Sequence, residues 1–398
     1  MESFGIDALA LAVPRSFLEV TDLAVARGVA PSKFVEGLGM GRIAIASADE
    51  DPVTLAADAA RRLLATPGVD KESIGLVIVG TETAVDHSKP IAAYLHGLLG
   101  LPSRCRVYET KHACFGGTAG LLTALDWLAS GSGRGRAALV ICTDIARYTL
   151  GTPGEPTQGA GAVAMLVKAS PRLLALEPGV SGSFARDVAD FWRPLDRKDA
   201  IVDGALSVRC YLDALGGAYT TWVEETRKAA GNPEDLARRC YHVPYGKMAK
   251  KAHQHLSELR GLDAAAAEET FQREVKPSLR FSAEVGNVYT GSLYFALASL
   301  LDAEAGELEG KRVGLFSYGS GSCAEFFAGT VEPGAGAFVR ALDLGAPLRD
   351  RTRLTVEAYE AIRRADTQVD TRDAGAVGVT TGNRVAFLGI DGGRRVYQ

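Results

Sequence analysis

Three stretches of this chain carry apolar residues almost without a break. They are Ile74–Gly80, residues 137–143 and residues 312–318. Runs of this length, bounded by polar or glycine-rich segments, predict strands covered on both faces. Helical spacing of apolar positions predicts helices near 51–64, over 116–128 and over 293–301. Strands and helices alternate, the pattern of an α/β fold. The two halves echo each other. A helix opening on small residues at 116 leads to the strand at 137–143 and then to 159–167. A second such helix, after Val285-Gly-Asn-Val-Tyr-Thr-Gly-Ser292, leads to the strand at 312–318, the turn Gly319-Ser-Gly-Ser322 and the run 324–329. The order predicts a duplicated unit facing itself, with a site between the halves. We take residues 1–170 as the first half and 171–398 as the second. Residues 171–274 of the latter read as a less regular insertion. The segment from 366 to 398, rich in glycine, arginine and aspartate, reads as peripheral.

With 398 residues, the chain can bury a large core or two fused domains. A net charge of −4 and a pI of about 6.0 argue against a general nucleic-acid binder. No apolar run is long enough to span a bilayer, so no membrane partner is expected. The N-terminal residues lack the basic stretch and apolar core of a secretory signal. The 6 cysteines are scattered, with no C-x-x-C pair. A reducing cytoplasm is the expected compartment, and neither a disulfide framework nor a bound metal is expected.

Candidate chemistry gathers at element boundaries. Cys114 sits where an extended segment turns into the helix at 116, in Glu109-Thr-Lys-His112-Ala-Cys114-Phe-Gly-Gly-Thr118. Unpaired N–H groups and the helix dipole there would push a thiol toward thiolate. The segment reads equally as a buried cysteine under a tight turn. Glu82 stands just past a buried strand, where α/β folds place their chemistry and where desolvation raises a carboxyl pKa. Taken alone it reads more simply as a solvated loop acid. His242 precedes a helix whose first turn suits Pro244. Lys247 and Lys251 share one face of that helix and could bind phosphates or simply be solvated. His253 and His255 diverge and do not form a metal pair. The turn at Ser317, Gly319, Ser320 and Gly321 could aim N–H groups at an oxyanion, or be only a tight connection. Neither a dinucleotide fingerprint, a phosphate-binding P-loop nor a nucleophile elbow is present in a usable context. A Cys, a Glu and a His at element boundaries compose a set for thiol-based acyl transfer.

From residue 5 to about residue 359 the chain closely resembles the hydroxymethylglutaryl-CoA synthase family of the thiolase-like superfamily, bacterial type. The resemblance rests on Thr81-Glu82-Thr, His112-Ala-Cys114-Phe-Gly-Gly-Thr, Gly154-Glu-Pro-Thr-Gln-Gly-Ala-Gly161, Asp190-Phe-Trp-Arg-Pro and Val202-Asp-Gly-Ala-Leu-Ser207. It rests also on Tyr241-His-Val-Pro-Tyr, Gly286-Asn-Val-Tyr-Thr290 and Ser317-Tyr-Gly-Ser-Gly321. Phe115 stands where tyrosine is more usual and Tyr245 where phenylalanine is common. The resemblance implies a five-layer α/β/α/β/α thiolase-like fold of two duplicated halves, usually dimeric. It implies acetyl-CoA and acetoacetyl-CoA as substrates on the mevalonate route to isoprenoids, and no cofactor.

The resemblance also implies roles. Cys114 would carry the acetyl group, Glu82 would take a methyl proton and later act as an acid, and His242 would polarise the ketone. Asn287 and the turn at Ser317, Gly319 and Ser320 would line the acyl site, with Asp144, Asp190 and Tyr289 around it. Lys247 and Lys251 would meet the CoA phosphates. The Cys114 N–H and one N–H of the glycine turn would serve the oxyanion. The alternative is a polyketide β-branching relative acting on acyl carrier protein thioesters. A β-ketoacyl synthase III-type enzyme would need a His/Asn pair in place of this Glu/His set. A scaffold without activity would lack Glu82 or Cys114.

Overall fold

A computed structural model describes residues 2–366 and 384–398. Nine strands form one sheet: β1 (Phe4–Ala12), β2 (Ile74–Gly80), β3 (Arg106–Thr110), β4 (Ala137–Ala146), β5 (Gly159–Ala169), β6 (Leu174–Ala185), β7 (Arg238–Tyr241), β8 (Arg312–Gly319) and β9 (Cys323–Val331). Their spatial order is β7-β8-β9-β6-β1-β5-β4-β2-β3. Outward from the β1–β6 pair, both sides run alike. β1–β5 and β5–β4 are antiparallel and β4–β2 is parallel. β6–β9 and β9–β8 are antiparallel and β8–β7 is parallel. Only β3, added parallel to β2, lacks a counterpart. The duplication expected from the order of elements is therefore built into the strand directions.

Helices follow the same duplication. α1 (Pro52–Leu64) comes after β1, and α3 (Gly204–Lys228) after β6. α2 (Gly116–Ala129) precedes β4, and α5 (Ser292–Leu308) precedes β8. Alternate residues of β2 show how the layers stack. Leu76 and Ile78 enter one core with Val140, Met165 and the α2 residues Leu121 and Leu125. Val77 and Val79 enter another with Leu139, Ile141 and the α1 residues Ala56 and Leu63. Because both faces are covered, the strand needs no polar alternation. α2 and α5 form the middle layer and meet at the Thr118 and Tyr294 hydroxyls, 2.8 Å apart. α1 covers the outer face of one half and α3 that of the other, which completes a five-layer α/β/α/β/α stack.

Local signals set the element ends. Asp51 and Thr54 form a capping box at α1, with Pro52 in its first turn. Asp203 caps α3 by accepting from Leu206 N–H at 3.0 Å. Residues 171–274, expected to be less regular, hold β6, the 25-residue α3 and α4 (Gly246–Leu259). The long α3 escaped the sequence reading because its apolar positions are interrupted by glycine, threonine and charge. The helix expected near Pro244 starts at Gly246, with Tyr245 extended at its N-cap. Of the C-terminal segment, the described part forms a hairpin, Phe387–Asp391 with Arg394–Tyr397. It is anchored more deeply than a peripheral tail. Phe387 is fully buried, and Arg395 and Tyr397 bond Asp51 at 2.8 and 2.7 Å. Residues 367–383 lie outside the described residues.

The halves close on each other through glycine. A Cβ on Gly117 in α2 would stand 2.4 Å from Cys142 Sγ and 2.8 Å from the Thr290 carbonyl. Gly117→Ala should therefore cost on the order of 1–3 kcal/mol, since both neighbours are fixed. Gly97, exposed in the helix Ile91–Leu98 with nothing near it, is the matched control. Gly97→Ala should add about 0.5–1 kcal/mol. Denaturant unfolding of the two variants checks both signs.

Candidate active site

Cys114 lies between β3 and α2, in a turn held by Phe115 N–H donating to the His112 carbonyl at 3.0 Å. Ala113 takes a φ of +41°, a region L residues rarely occupy, and this aims the Cys114 side chain inward. Cys114 is 8% exposed, and its thiol donates to Glu82 Oε1 at 3.1 Å. Its acidity runs against the expectation of a thiolate. Burial pushes the thiol well above its usual range, and the Glu82 and Asp144 carboxylates push it further. Cys114 precedes the helix proper, and desolvation beside a carboxyl outweighs the dipole.

Glu82 leaves the end of β2 and is buried, with 7% of its side chain exposed. It is therefore no solvated loop acid. Burial raises its pKa to about 8, helped by the Asp144 charge and opposed by Arg193 and the thiol hydrogen bond. The two groups titrate as a pair. Glu82 loses its proton first, which leaves a carboxylate already in contact with an S–H.

Asp144, on β4, is fully buried and has its oxygens filled by protein. Oδ1 accepts from Thr81 Oγ1 at 3.0 Å, Glu82 N–H at 2.9 Å and Thr83 Oγ1 at 2.7 Å. Oδ2 accepts from Thr290 N–H at 3.0 Å and from the Thr290 hydroxyl. Asp190 is likewise fully buried and committed, to Tyr318 Oη at 2.9 Å and Gly321 N–H at 2.8 Å. Both acids, expected around the acyl group, instead hold the loops that form the site. The Gly321 N–H is spent on Asp190, so it is not free for an oxyanion. Asn287 Oδ1 accepts from Tyr289 N–H and Ser292 Oγ, each at 2.8 Å, and so shapes the turn in which Tyr289 takes a φ of +45°.

The glycine turn after β8 meets the Cys114 loop directly. A Cβ on Gly319 would stand 2.5 Å from the His112 carbonyl and 2.7 Å from Phe115 N. Ser317 is buried on β8, and Ser320 is half-buried at the tip of the turn. His242 follows β7, the strand beside β8. Its N–H donates to the Phe316 carbonyl at 2.7 Å, and its carbonyl accepts from Tyr211 Oη at 2.8 Å. Its ring stacks on Tyr211, and burial lowers its pKa to about 3, so the imidazole is neutral. Lys247 and Lys251 lie on α4 and line a groove of about 630 Å³ with Lys250, Lys276 and Arg280. They belong to this outer groove, whereas Glu82, Cys114 and the Asp144 network are packed together inside.

Two residues escaped the sequence reading. Tyr148 is buried against Cys114, Tyr289, Ala146 and Phe191. Arg193 places Nη2 3.8 Å from Glu82 Oε2. Arg193 lies inside the quoted motif at 190–194, but an irregular segment has no periodicity to say where its side chain goes. Among the described residues no group of three or more His, Cys, Asp or Glu side chains could hold a metal ion. None of the described helices is long and apolar enough to cross a membrane.

The buried carboxyl costs stability in a predictable direction. In the unfolded chain Glu82 ionises near its ordinary value of about 4.3. In the folded protein it keeps its proton to about 8. Its contribution therefore turns unfavourable as pH rises between these values. The neutral isostere Glu82→Gln should raise stability on the order of 1–3 kcal/mol at pH 8 and by much less at pH 5. Thermal melts of both proteins at the two pH values measure this. An equal change at both would contradict the assignment.

Comparison with known proteins supplies the family. The model described as hydroxymethylglutaryl-coenzyme A synthase N terminal matches residues 1–171, and its C-terminal counterpart matches 174–260 and 257–374. The chain is 40% identical over 370 residues to hydroxymethylglutaryl-CoA synthase of Enterococcus faecalis, covering 92% of this chain and 94% of that one. It is 35% identical to the polyketide biosynthesis 3-hydroxy-3-methylglutaryl-ACP synthase of Bacillus subtilis, covering 91% and 88%. A solved MvaS in complex with 3-hydroxy-3-methylglutaryl coenzyme A superposes with a TM-score of 0.93 at 45% identity, over 100% of this chain and 99% of that one. The curacin-pathway HMG synthase in complex with acetyl donor-ACP gives 0.89 at 32% identity, over 100% and 99%. With two family models spanning nearly its whole length and a thiol–carboxyl pair between two duplicated halves, this chain belongs to the hydroxymethylglutaryl-CoA synthase family of thiolase-like, acyl-condensing enzymes.

Proposed function

We propose that the chain condenses acetyl-CoA with acetoacetyl-CoA and releases 3-hydroxy-3-methylglutaryl-CoA, in the cytoplasm, on the mevalonate route. The observation that carries the reading is the 3.1 Å contact between the Cys114 thiol and the Glu82 carboxyl, both buried. Glu82 takes the thiol proton, the thiolate attacks the acetyl thioester, and the departing CoA thiolate takes the proton back. The regenerated Glu82 carboxylate then removes a proton from the methyl of acetyl-Cys114. The enolate attacks the ketone carbon of acetoacetyl-CoA, and Glu82 protonates the resulting alkoxide. A neutral His242 polarises that ketone through a ring N–H, and the Cys114 N–H is the donor for the thioester oxyanion. Water finally cleaves the Cys114 thioester. None of these steps needs a cofactor.

Free CoA as the carrier is supported by the cationic groove at Lys247, Lys251, Lys276 and Arg280, which suits phosphates. The acyl carrier protein reading is kept by the likeness to synthases named for ACP substrates. A homodimer is supported by β3, a sheet edge with one partner and a row of unpaired backbone groups.

Three measurements test the reading. Radiolabelled acetyl-CoA should acetylate the native protein and leave Cys114→Ser unlabelled. Glu82→Ala should still accept the acetyl group, at a reduced rate, yet lose condensation by a factor on the order of 10²–10⁴. Loss of acetoacetyl thioester should be faster with acetyl-CoA than with acetyl-loaded carrier protein. The reverse order would transfer the chain to the ACP reading.

A further inference from the structure

Arg193 is a guanidinium with one ionic contact and no hydrogen bond among the described residues. Its side chain is only 16% exposed, and Nη2 stands 3.8 Å from Glu82 Oε2, too far for a hydrogen bond. Three other partly buried arginines, by contrast, spend their guanidinium groups on protein acceptors. The Arg172 guanidinium bonds Asp7 and the Pro67 carbonyl, Arg27 bonds Glu155 and Glu360, and Arg312 bonds Glu177 bidentately. A cation this withdrawn from water, with its N–H fork unspent, is a site awaiting an anion.

The arginine is also held in place. Asp190, three residues earlier, is pinned to Tyr318 and Gly321. Asp203 N–H closes on the Asp190 carbonyl at 3.0 Å. Trp192, next to Arg193, pairs with Ile201 in a short ladder. The Phe191 ring packs edge-on against Tyr148 and Tyr289, at 6.5 and 5.9 Å between centroids. These contacts carry Arg193 to the pocket that holds Glu82 and Cys114.

Resting on the condensation proposed above, the chemistry identifies the anion. Neither substrate brings a carboxylate to the thiol. The last step makes one. Water adds to the carbonyl of the hydroxymethylglutaryl–Cys114 thioester, the C–S bond breaks, and the sulfur leaves as thiolate and recovers a proton. The new carboxylic acid ionises, so one water is consumed and one proton is released overall. The carboxylate appears on the carbon that was bonded to Cys114 Sγ, and Sγ is 3.1 Å from Glu82 Oε1, the carboxyl that Arg193 faces. We infer that Arg193 is a further catalytic residue, which receives the carboxylate released when the Cys114 thioester is hydrolysed and so binds the acid end of the product. A guanidinium fork matches a carboxylate in bidentate fashion, whereas lysine offers a point charge. The raised pKa of Glu82 suits this arrangement, because a protonated neighbour does not compete for the cation.

The test is binding in a Cys114→Ala background, in which no thioester can form. Dissociation constants are measured by titration calorimetry for 3-hydroxy-3-methylglutaryl-CoA and for acetoacetyl-CoA, which lacks the carboxylate. Arg193→Gln should weaken the product on the order of tenfold to a hundredfold. Acetoacetyl-CoA should stay within about threefold, which also reports a folded site. Arg193→Lys should fall between. Equal losses for both ligands, or no loss for the product, would overturn the role. If the Cys114→Ala protein with Arg193 intact binds neither CoA thioester, the proposed function fails, and the role of Arg193 fails with it. An intact product affinity lost only with Arg193 supports both.

Discussion

The site depends on one fully buried carboxylate. Asp144 gathers five donors from two distant parts of the chain, Thr81–Thr83 after β2 and Thr290 before α5. A buried carboxylate is costly unless it is saturated with hydrogen bonds. Asp144 therefore holds both segments to itself. The Glu82 backbone is set by it directly, and the Tyr289 turn is set by it together with Asn287. Loss of Asp144 would release Glu82 and the Tyr289 turn at once. Asp190 does the same for the glycine turn, which in turn packs on the Cys114 loop at Gly319.

Electrostatics then follow from packing. Desolvation drives Glu82 and Cys114 in the same direction, toward holding protons, and the nearby Asp144 reinforces the shift. The outcome is a weakly acidic thiol against a carboxyl poised near neutral pH, which suits proton transfer in both directions. His242 is pushed the opposite way because burial disfavours any charge, and for histidine the charged form is the protonated one. Burial thus keeps Glu82 and the Cys114 thiol protonated against each other and leaves His242, beside Tyr211, neutral. Arg193 faces Glu82 at 3.8 Å, and the lysines stay in the outer groove.

Much of this architecture is legible in the residues. The strands at 74–80, 137–143 and 312–318 follow from apolar runs that only two-sided burial tolerates. The duplication follows from the repeated order of small-residue helix start, helix, strand and glycine turn. Cys114, Glu82 and His242 stand out because they sit where elements end. Other features are hidden from the sequence. The acidity of Cys114 cannot be read from its neighbours along the chain, because burial reverses the helix effect and Glu82, 32 residues away, adds to it. The framework roles of Asp144 and Asp190 are hidden for the same reason. An aspartate in a motif looks alike whether it meets a substrate or a backbone N–H from the other half.

What the sequence determined by itself is therefore local and periodic. Burial pattern, helix starts such as the Asp51–Thr54 box, and the presence of a thiol, a carboxyl and an imidazole at element ends are set by residue type and short spacing. Tertiary structure alone decided which donors are spent, which side chains share a proton and where Arg193 points. Those properties depend on distances below about 4 Å between residues far apart in the chain, and on the water excluded when the two halves close. No pattern along a single strand or helix carries that information.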